Sequence, residues 1–430
     1  MSQTTDRRNF LKTAGVATTG FWVAGGLSVQ AKESPNEKLG MASIGIGGKG
    51  GSDSADAAKH GNMVAVCDVD KGRLAGALKR FPGAKGFTDY REMLTQLGDS
   101  IDAVTVSTPD HMHAPASLMA MRMGIHCFCQ KPLTRTIYES RLVGQVAREN
   151  KLATQMGNQG TAGDSLRRSA HWLKNGAIGT VKELHVWTNR AKGWWPQGVD
   201  RPAPKSPPAN LPWDLWLGVA PERPYSDGYH PFKWRGWWDF GTGALGDIAC
   251  HSVSMPFMGL DLRDPVSVEA ETSGHNKDSF PAWSIITFEF AANGSRPALK
   301  LVWYDGGKLP AKELLGGREP SSGGGTLAIG DKGILLNNDL LDGGKPVDVD
   351  FPHSPGHFEE WIRAIKGGEQ AMSNFPDYAG PLTEVMLLGN LSVWCGEKVL
   401  WDAKNMKVTN IDGLDSMIKP TYRKGYTLDV

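Results

Sequence analysis

Three side chains capable of acid–base chemistry stand out by their surroundings in the sequence. Lys131 follows an apolar run and precedes a proline, which restricts the backbone beside it. A cation there can donate to a substrate hydroxyl and favour its alkoxide, although an ordinary solvated lysine explains the pattern equally well. Asp247 and His251 are four residues apart, so in a helix they share one face. That spacing suits a histidine general base with a carboxylate that orients it or contacts the same substrate; a helix-capping acid and a packed histidine are the structural alternative.

A glycine-rich turn near the start of the chain predicts a dinucleotide site. An apolar run opens into Gly45-x-Gly47-x-x-Gly50, and Asp68 ends the next apolar run. In this pattern the glycines permit a tight turn, a close approach to a pyrophosphate and close helix–strand packing. The acid accepts hydrogen bonds from the adenosine ribose hydroxyls. Because a carboxylate there repels a 2′-phosphate, we expect NAD rather than NADP.

Alternating strand and helix patterns indicate the elements that position these groups. The N-terminal third predicts a parallel sheet covered on both faces, which is the doubly wound Rossmann arrangement. The expected strands are 41–46, 63–67, 103–107 and 126–129, and the expected helices are 54–60, 73–79 and 116–123. Lys131 then lies at the carboxyl edge of the sheet, where open α/β sheets bind ligands.

The chain changes character after about residue 157. Longer strands of alternating polarity, such as 182–187 and 283–290, predict an α+β domain with a large open, mostly antiparallel sheet. Residues 201–212 and 316–325 are rich in proline or glycine and indicate loops. We therefore divide the chain into a signal segment (1–31), a Rossmann domain (38–157) and a domain for substrate binding and oligomerisation (158–430).

Composition narrows the classes of partner. The 430 residues carry a formal net charge of +1, so charge gives no support for binding nucleic acid or an anionic membrane. The 15 tryptophans are many for this size. They suit stacking against sugar rings, although core and interface packing use tryptophan equally well. The predicted substrate walls draw on Trp194, Trp195, Trp234, Trp237 and Trp238, with Lys192, Arg235 and Asp239 between them.

The first residues carry a twin-arginine export pattern. Arg7 and Arg8 precede a weakly apolar stretch at 16–29 and a small-residue cleavage site at 29–31. We expect the twin-arginine translocase to export the protein to the periplasm or beyond, with no stable membrane insertion; a short anchor helix is the alternative. The five cysteines lack a disulfide-like spacing, so we expect mostly free, buried thiols. Neither His111-x-His113 nor the Asp247–His251 pair offers three converging ligands, so we expect no metal.

In combination these motifs resemble the Gfo/Idh/MocA oxidoreductases. The resemblance rests on the glycine fingerprint, 66–70, 107–114, 130–132, the Asp247–His251 pair, 387–390 and 401–402. It implies that Lys131 is the active-site lysine and that Asp247 and His251 are the carboxylate and the acid/base histidine. The cofactor-binding residues are expected to be Gly45, Gly47, Gly48, Gly50, Asp68, Ser107, Thr108, Pro109, Asp110, His113, Gln130, Lys131, Asn158 and Gln159. Relatives usually have Glu before the lysine, so Gln130 removes a negative charge beside it.

The resemblance implies hydride transfer between nicotinamide and a hydroxyl-bearing carbon of a sugar, polyol or glycoside. The expected substrate-binding residues are Lys131, Lys192, Trp194, Arg235, Trp237, Asp247 and His251. A redox-neutral glycosidase that oxidises and re-reduces its substrate is an alternative, and a non-catalytic sugar binder is a second one. An apolar sheet face needs a cover, so we expect a homodimer or homotetramer. Because nicotinamide nucleotide is scarce outside the cytoplasm, we expect the cofactor to be loaded before export and held tightly.

Overall fold

The computed structural model describes residues 38–190 and 194–428. The export pattern of residues 1–31 and the side chain of Lys192 therefore lie outside the described residues. Within the described ranges, no helix combines the length and apolar character needed to cross a membrane.

The first domain contains a sheet of six parallel strands in the order β3-β2-β1-β4-β5-β6. The strands are β1 (Leu39–Ile44), β2 (Gly61–Cys67), β3 (Lys85–Phe87), β4 (Ala103–Val106), β5 (His126–Cys129) and β6 (Thr154–Met156). The helices are α1 (Lys49–Ala57), α2 (Lys71–Arg80), α3 (Tyr90–Leu97), α4 (His113–Arg122) and α5 (Ile137–Glu149). The order reverses between β1 and β4, and such a switch point opens a crevice at the carboxyl edge of the sheet.

This architecture confirms the predicted Rossmann fold, with one notable shift of a boundary. Helix α1 begins at Lys49, several residues before the predicted start at 54. The glycines there resemble a loop in sequence, but Gly50 belongs to the helix and packs against the carbonyl of Gly45, where a Cβ atom would lie 2.0 Å from the oxygen. Close packing of the helix on the turn therefore overrides the low helix propensity of glycine.

The second domain contains a nine-stranded sheet in the order β13-β12-β11-β7-β10-β9-β8-β14-β15. Its strands are β7 (Val181–Thr188), β8 (Ser267–Thr272), β9 (Ser284–Phe290), β10 (Leu299–Tyr304), β11 (Gly324–Gly330), β12 (Ile334–Leu336), β13 (Asp339–Leu341), β14 (Val399–Asp402) and β15 (Lys407–Val408). Strands β7 and β10 are parallel, and the other neighbours are antiparallel. The predicted strands at 182–187 and 283–290 correspond to β7 and β9, which confirms a mostly antiparallel sheet.

Seven further α-helices lie in the described part of the chain. They are α6 (Asp164–Lys174), α7 (Trp213–Leu217), α8 (Gly243–Ser252), α9 (Ser254–Leu260), α10 (His357–Ile365), α11 (Gly380–Cys395) and α12 (Asp415–Ile418). Helix α11 is buried along most of its length. It packs in one core with apolar side chains of β9 and β10, including Phe288, Phe290 and Trp303. The outer face of β9 and β10 is mixed, since Ile285 and Tyr304 pair at one end of it and Glu289 and Lys300 at the other.

A tryptophan-rich segment of the second domain, residues 194–240, folds over the first domain; we call it the aromatic cap. Its own small core includes Trp216, Tyr229, Trp234 and Phe240. The ring of His111 lies against this core, with ring centroids 5.4 Å from Trp216 and 5.3 Å from Phe240. The cap is therefore fastened to the loop that follows β4.

The cysteines are free, as the sequence predicted. Cys67, Cys127, Cys129 and Cys250 are buried, and Cys395 is half-buried. Burial raises the pKa of the Cys127 and Cys250 thiols to about 12. These thiols therefore stay protonated and behave as small apolar side chains.

Candidate active site

A cavity of about 510 Å³ lies between the carboxyl edge of the parallel sheet, helix α8 and the aromatic cap. Most of the residues singled out from the sequence meet there. Those lining it are Gly45, Gly47, Gly48, Asp68, Ser107, Thr108, Pro109, Asp110, His113, Gln130, Lys131, Gln159, Trp194, Trp195, Trp234, Arg235, Asp247 and His251. The tertiary structure thus brings the glycine turn and the candidate acid–base groups to one cavity.

Lys131 and Asp247 form the central ion pair of the cavity. Lys131 Nζ lies 2.7 Å from Asp247 Oδ1 and 2.7 Å from the Asp247 carbonyl oxygen. Arg235 Nε donates to the same Oδ1 at 3.2 Å. Burial by itself raises the pKa of the Asp247 carboxyl, but the charges of Lys131 and Arg235 outweigh burial and hold that pKa below its ordinary value. Asp247 is therefore ionised and fixes the lysine ammonium.

His251 stands one helical turn from Asp247 on α8, as predicted, but the two side chains do not hydrogen-bond. Within the described residues, the imidazole has no hydrogen-bond partner, and it lines the cavity. Burial, followed by the charge of Lys131, lowers the pKa of His251 to about 4. The ring is therefore neutral at pH 7 and can accept a proton. The expected carboxylate partner of the histidine instead holds Lys131.

The glycine turn fits a dinucleotide. Gly45 has φ of 78°, and a Cβ atom there would lie 2.7 Å from the Ser107 backbone. Gly48 has φ of 55° and faces open space. The Gly50 and Gly51 amides donate to the Gly47 and Gly48 carbonyls at 3.1 Å, whereas among the described residues the Gly47, Gly48 and Lys49 amides have no acceptor and can meet a pyrophosphate. A nucleotide can therefore approach the backbone at Gly45, Gly47 and Gly48, because these residues carry no side chain that would block it.

The adenosine end of the cavity is marked by Asp68. Its Oδ2 accepts from the Ile46 amide at 3.0 Å and its Oδ1 from the Asp70 amide at 2.8 Å. These bonds hold the carboxylate at the end of β2, facing the cavity, where it suits two ribose hydroxyls. Arg73 also reaches this end, because its side chain lies over Gly47.

The loop after β4 supplies one wall. The Thr108 hydroxyl is buried without a hydrogen-bond partner, which leaves it available to a ligand in the cavity. Asp110 accepts from the Thr242 hydroxyl at 2.7 Å, and burial raises its pKa to about 7. The ring nitrogens of His113 lie 2.7 Å from the Pro132 carbonyl and 2.8 Å from the Thr108 carbonyl. His113 therefore ties this loop to the one that carries Lys131.

Gln130 is explained by a neighbour that the sequence analysis missed. Its Nε2 donates to Oδ2 of the buried Asp53 at 2.9 Å, and the Ser107 hydroxyl donates to the same oxygen at 2.8 Å. Lys49 pairs with the other oxygen of Asp53. The signal was present as the i, i+4 pair Lys49–Asp53 directly after the glycine fingerprint. The negative charge that Gln130 lacks is thus carried next to it by Asp53.

Some predicted site residues belong to the packing instead. Trp237 is buried, donates to the Gly228 carbonyl at 2.7 Å and does not line the cavity. Trp238 stacks on Phe280 with centroids 3.7 Å apart. Asp239 pairs with Arg201 and Arg223. The structure thus places these three side chains in the packing role that the sequence left open, because a sequence shows which side chain is present but not which way it turns.

Two predicted cofactor residues lie just behind the cavity wall. Gly50 packs against Gly45, as the fingerprint requires, and is not itself a lining residue. Asn158 is buried against the Cys250 carbonyl and the Ser254 hydroxyl, each 3.4 Å from its Nδ2. Gln159 lines the cavity in its place. Across residues 38–190 and 194–428, no group of three or more His, Cys, Asp or Glu side chains is arranged to hold a metal ion.

Two sequence models of one family match the chain. The model described as "Oxidoreductase family, NAD-binding Rossmann fold" matches residues 39–158, and the one described as "Oxidoreductase family, C-terminal alpha/beta domain" matches 172–300. Together they account for more than half of the chain. The chain belongs to the Gfo/Idh/MocA oxidoreductase family, as its motifs predicted.

Two curated relatives of this chain have names that state different activities. The chain is 25% identical to levoglucosan dehydrogenase of Pseudarthrobacter phenanthrenivorans over 190 residues, 44% of this chain and 40% of that one. It is 29% identical to a glycosyl hydrolase family 109 protein of Shewanella baltica over 233 residues, 44% of this chain and 50% of that one. The chain thus spans half or less of the length of these curated relatives.

Among solved structures, the fold is similar to that of the WlbA dehydrogenase from Bordetella pertussis in complex with NADH and UDP-GlcNAcA. The TM-score is 0.61 with 17% sequence identity, over 85% of this chain and 99% of that chain. At this level of identity the similarity shows a shared fold.

Proposed function

We propose that this protein transfers hydride between NAD and a hydroxyl-bearing carbon of a sugar, polyol or glycoside. The observation that carries the proposal is the convergence of Lys131, Asp247 and His251 in the cavity that also contains the glycine turn. Bound NAD supplies the hydride acceptor. The side chains of the cavity then have to remove one proton and stabilise one developing negative charge.

The protonation states of the three residues match these tasks. His251 is neutral at pH 7 because its pKa is about 4, so it can take the hydroxyl proton. An ammonium has three N–H donors, and two of those of Lys131 go to Asp247. The third is left for the substrate oxygen, where it stabilises the alkoxide. Asp247 is then a positioning residue, since it acts by holding Lys131.

We propose NAD as the cofactor over NADP, and a cofactor that stays bound between turnovers. The Asp68 carboxylate favours a free 2′-hydroxyl, since its negative charge would repel a 2′-phosphate. The aromatic cap reaches across the adenosine end, where Asn210 Nδ2 and His230 Nε2 lie 3.0 Å and 3.1 Å from the Asp70 carboxylate. A nucleotide in the cavity would have to pass this closure to leave.

The test is to purify the protein, denature it and identify any released nucleotide, and then to supply sugars, polyols and glycosides to the native protein. We expect NAD to be released and at least one such compound to reduce the bound NAD. The His251→Asn variant should retain the nucleotide and lose the reaction. Finding no nucleotide, together with no binding of added NAD or NADP, would overturn the proposal.

A redox-neutral glycosidase is the second candidate, and the similarity to the glycosyl hydrolase family 109 protein favours it. Transient oxidation would acidify a neighbouring C–H bond, the leaving group would be eliminated, water would add and the hydride would return. Lys131, Asp247 and His251 would also carry out the proton transfers and charge stabilisation of this reaction. Cleavage of a glycoside without accumulation of reduced nucleotide identifies this function. A non-catalytic sugar binder would have no need of all three, and its binding would survive loss of His251.

We also propose that the protein works outside the cytoplasm, after twin-arginine export, as a homodimer or homotetramer. Arg7 and Arg8 support export, and the half-exposed Ile285 and Tyr304 on the outer sheet face offer a surface for a second subunit. A cofactor loaded before export has to be regenerated in place. We therefore favour a closed redox cycle, with two coupled substrates or oxidation and re-reduction of one.

A further inference from the structure

The charges around Asp247 do not balance. Lys131, Arg190 and Arg235 all lie close to its carboxylate, with Arg190 Nε 4.0 Å from Oδ2. All three cations line the cavity, and their side chains are between 15% and 24% exposed. One carboxylate neutralises one of them. Two positive charges are left facing a partly dehydrated space, which is unfavourable unless a ligand brings a counter-charge.

Other groups in the cavity do not supply that counter-charge. Among the described lining residues, the acids are Asp68, Asp110 and Asp247. Asp68 lies at the adenosine end, and Asp110 already accepts from the Thr242 hydroxyl in a buried position that raises its pKa to about 7 and so disfavours its charged form. His251 is neutral. If NAD binds as proposed, its nicotinamide ring would bring a further positive charge and no counter-charge to the three cations.

The two arginines keep part of their N–H groups for a ligand: Nη1 of Arg190 donates to Asn189 Oδ1 and Nη1 of Arg235 to the Phe232 carbonyl, but among the described residues neither Nη2 has an acceptor. The Arg190 guanidinium carbon lies 3.6 Å from the ring centroid of Trp194, and that of Arg235 lies 4.1 Å from the centroid of Trp234. Stacking on aromatic faces fixes a planar guanidinium without using its N–H groups. Arg190 Nε is buried and has no hydrogen-bond partner. The fork of a guanidinium matches the oxygens of a carboxylate, sulfate or phosphate.

Resting on the oxidoreductase function proposed above, we infer that the substrate is an anionic sugar, one that carries a carboxylate, sulfate or phosphate group near the oxidised hydroxyl. Arg190 and Arg235 bind the anionic group, and the aromatic faces of the cap flank the sugar ring. A role of both arginines in keeping Asp247 ionised is the simpler account. However, Lys131 and Arg235 already donate to Asp247 Oδ1 at 2.7 Å and 3.2 Å, whereas Arg190 Nε lies 4.0 Å from Oδ2, beyond hydrogen-bonding distance.

The test compares sugars that differ in one substituent, with the NAD-loaded protein. Methyl glucoside is compared with methyl glucuronide, with the methyl ester of that glucuronide, and with the 6-phosphate and 6-sulfate of the glucoside. A galactose series is run in parallel. Dissociation constants are measured by calorimetry and kcat/KM by reduction of the nucleotide or by glycoside cleavage. We expect at least one anionic member to bind about 10- to 100-fold more tightly than its neutral counterpart, the range typical of hydrogen bonds to charged groups.

The Arg190→Gln variant should remove most of this preference, measured as the ratio of the neutral to the anionic dissociation constant, because it deletes one charge–charge contact. Arg318→Gln is the matched control, since Arg318 pairs with Asp342 on an exposed surface, and it should keep the full preference. The phosphate, sulfate and carboxylate members of each series distinguish the three kinds of anion.

The outcomes separate this inference from the proposed function. If neutral sugars bind and react as well as or better than every anionic partner, the inference is wrong and the oxidoreductase function stands. The inference would also be wrong if the Arg190→Gln variant kept the whole preference for the anionic sugar. If no member of any series binds or reacts although NAD is bound, the inference and the proposed function both fail.

Discussion

The environment of His251 determines how the proposed reaction should depend on pH. The base is the neutral imidazole, so the oxidation rate falls when the ring becomes protonated. Burial and Lys131 lower the pKa of His251 to about 4. We therefore expect kcat/KM for oxidation to fall as the pH drops through about 4, and not near the ordinary histidine value of about 6.5.

Two variants check this assignment at the level of single residues. His251→Asn should lower kcat by about 10²- to 10⁴-fold, the usual contribution of a general base. Lys131→Met should move the acid limb of its residual pH profile upward, because a cation that opposes protonation is removed. The measurement is kcat/KM against pH for each variant. A wild-type acid limb at pH 6–7 would contradict the assignment of His251.

The hydrogen bond between Gln130 and Asp53 leads to a prediction about the stability of the protein. A glutamate at position 130 would bring a second buried carboxylate to an oxygen that now lies 2.9 Å from an amide donor. We expect Gln130→Glu to destabilise the protein by about 1–3 kcal/mol, as for a buried group that loses its partner. Adding Asp53→Asn should recover part of this loss, so the two substitutions should be non-additive in a denaturation-based double-mutant cycle.

An exposed pair provides the control for that cycle. Gln145 Nε2 donates to Glu149 Oε1 at 2.7 Å on the surface of α5. Gln145→Glu creates the same kind of carboxylate pair in water, where like charges at this spacing cost about 0.2–0.5 kcal/mol. Equal losses of stability for Gln130→Glu and Gln145→Glu would show that Asp53 does not determine which residue is favoured at position 130.

Among the secondary-structure elements, the aromatic cap has the clearest consequence for cofactor retention. Asn210 and His230 bind the Asp70 carboxylate, and Asp70 also caps the start of α2. Replacing both Asn210 and His230 by alanine should speed release of the nucleotide by about tenfold or more, since two hydrogen bonds to a charged group are lost. Stopped-flow fluorescence of bound NADH measures that rate.

The same cap supplies a control for this prediction. Asp227 pairs with Lys205 on an exposed part of the segment, so Asp227→Ala changes the cap without touching Asp70. Its release rate should match that of the unmodified protein. If the Asn210 and His230 substitutions also leave the rate unchanged, the cap does not retain the nucleotide.

For the whole molecule, we expect cofactor loading to precede export. The twin-arginine route carries folded proteins, so the exported protein should arrive with NAD in its cavity. Replacing Arg7 and Arg8 by lysine should keep the protein in the cytoplasm. The retained protein should still bind NAD, because the residues that line the cavity lie between positions 44 and 251. Cell fractionation followed by nucleotide analysis of each fraction measures both effects. Undiminished export of the double variant would contradict the proposed route.

The sequence alone was sufficient for the fold class and for the candidate catalytic residues. Glycines at fixed spacing, an acid at a strand end and an i, i+4 pair are local patterns, and local geometry determines what such patterns can form. Lys131, Asp247 and His251 could therefore be named as candidates before the cavity was seen, and the resemblance to the Gfo/Idh/MocA family assigned their roles. The cysteines were predicted to be free because their spacing is not that of a disulfide framework.

The tertiary structure decided which side chain each of these groups meets. Asp247 contacts Lys131 and Arg235 rather than His251, and Gln130 contacts Asp53, 77 positions away in the chain. Trp194 faces the cavity while Trp237 turns into the packing. Such choices depend on contacts between distant segments, and the orientation of a side chain is fixed by its packing and not by its neighbours in sequence. The excess of positive charge around Asp247 became visible only when these segments were brought together.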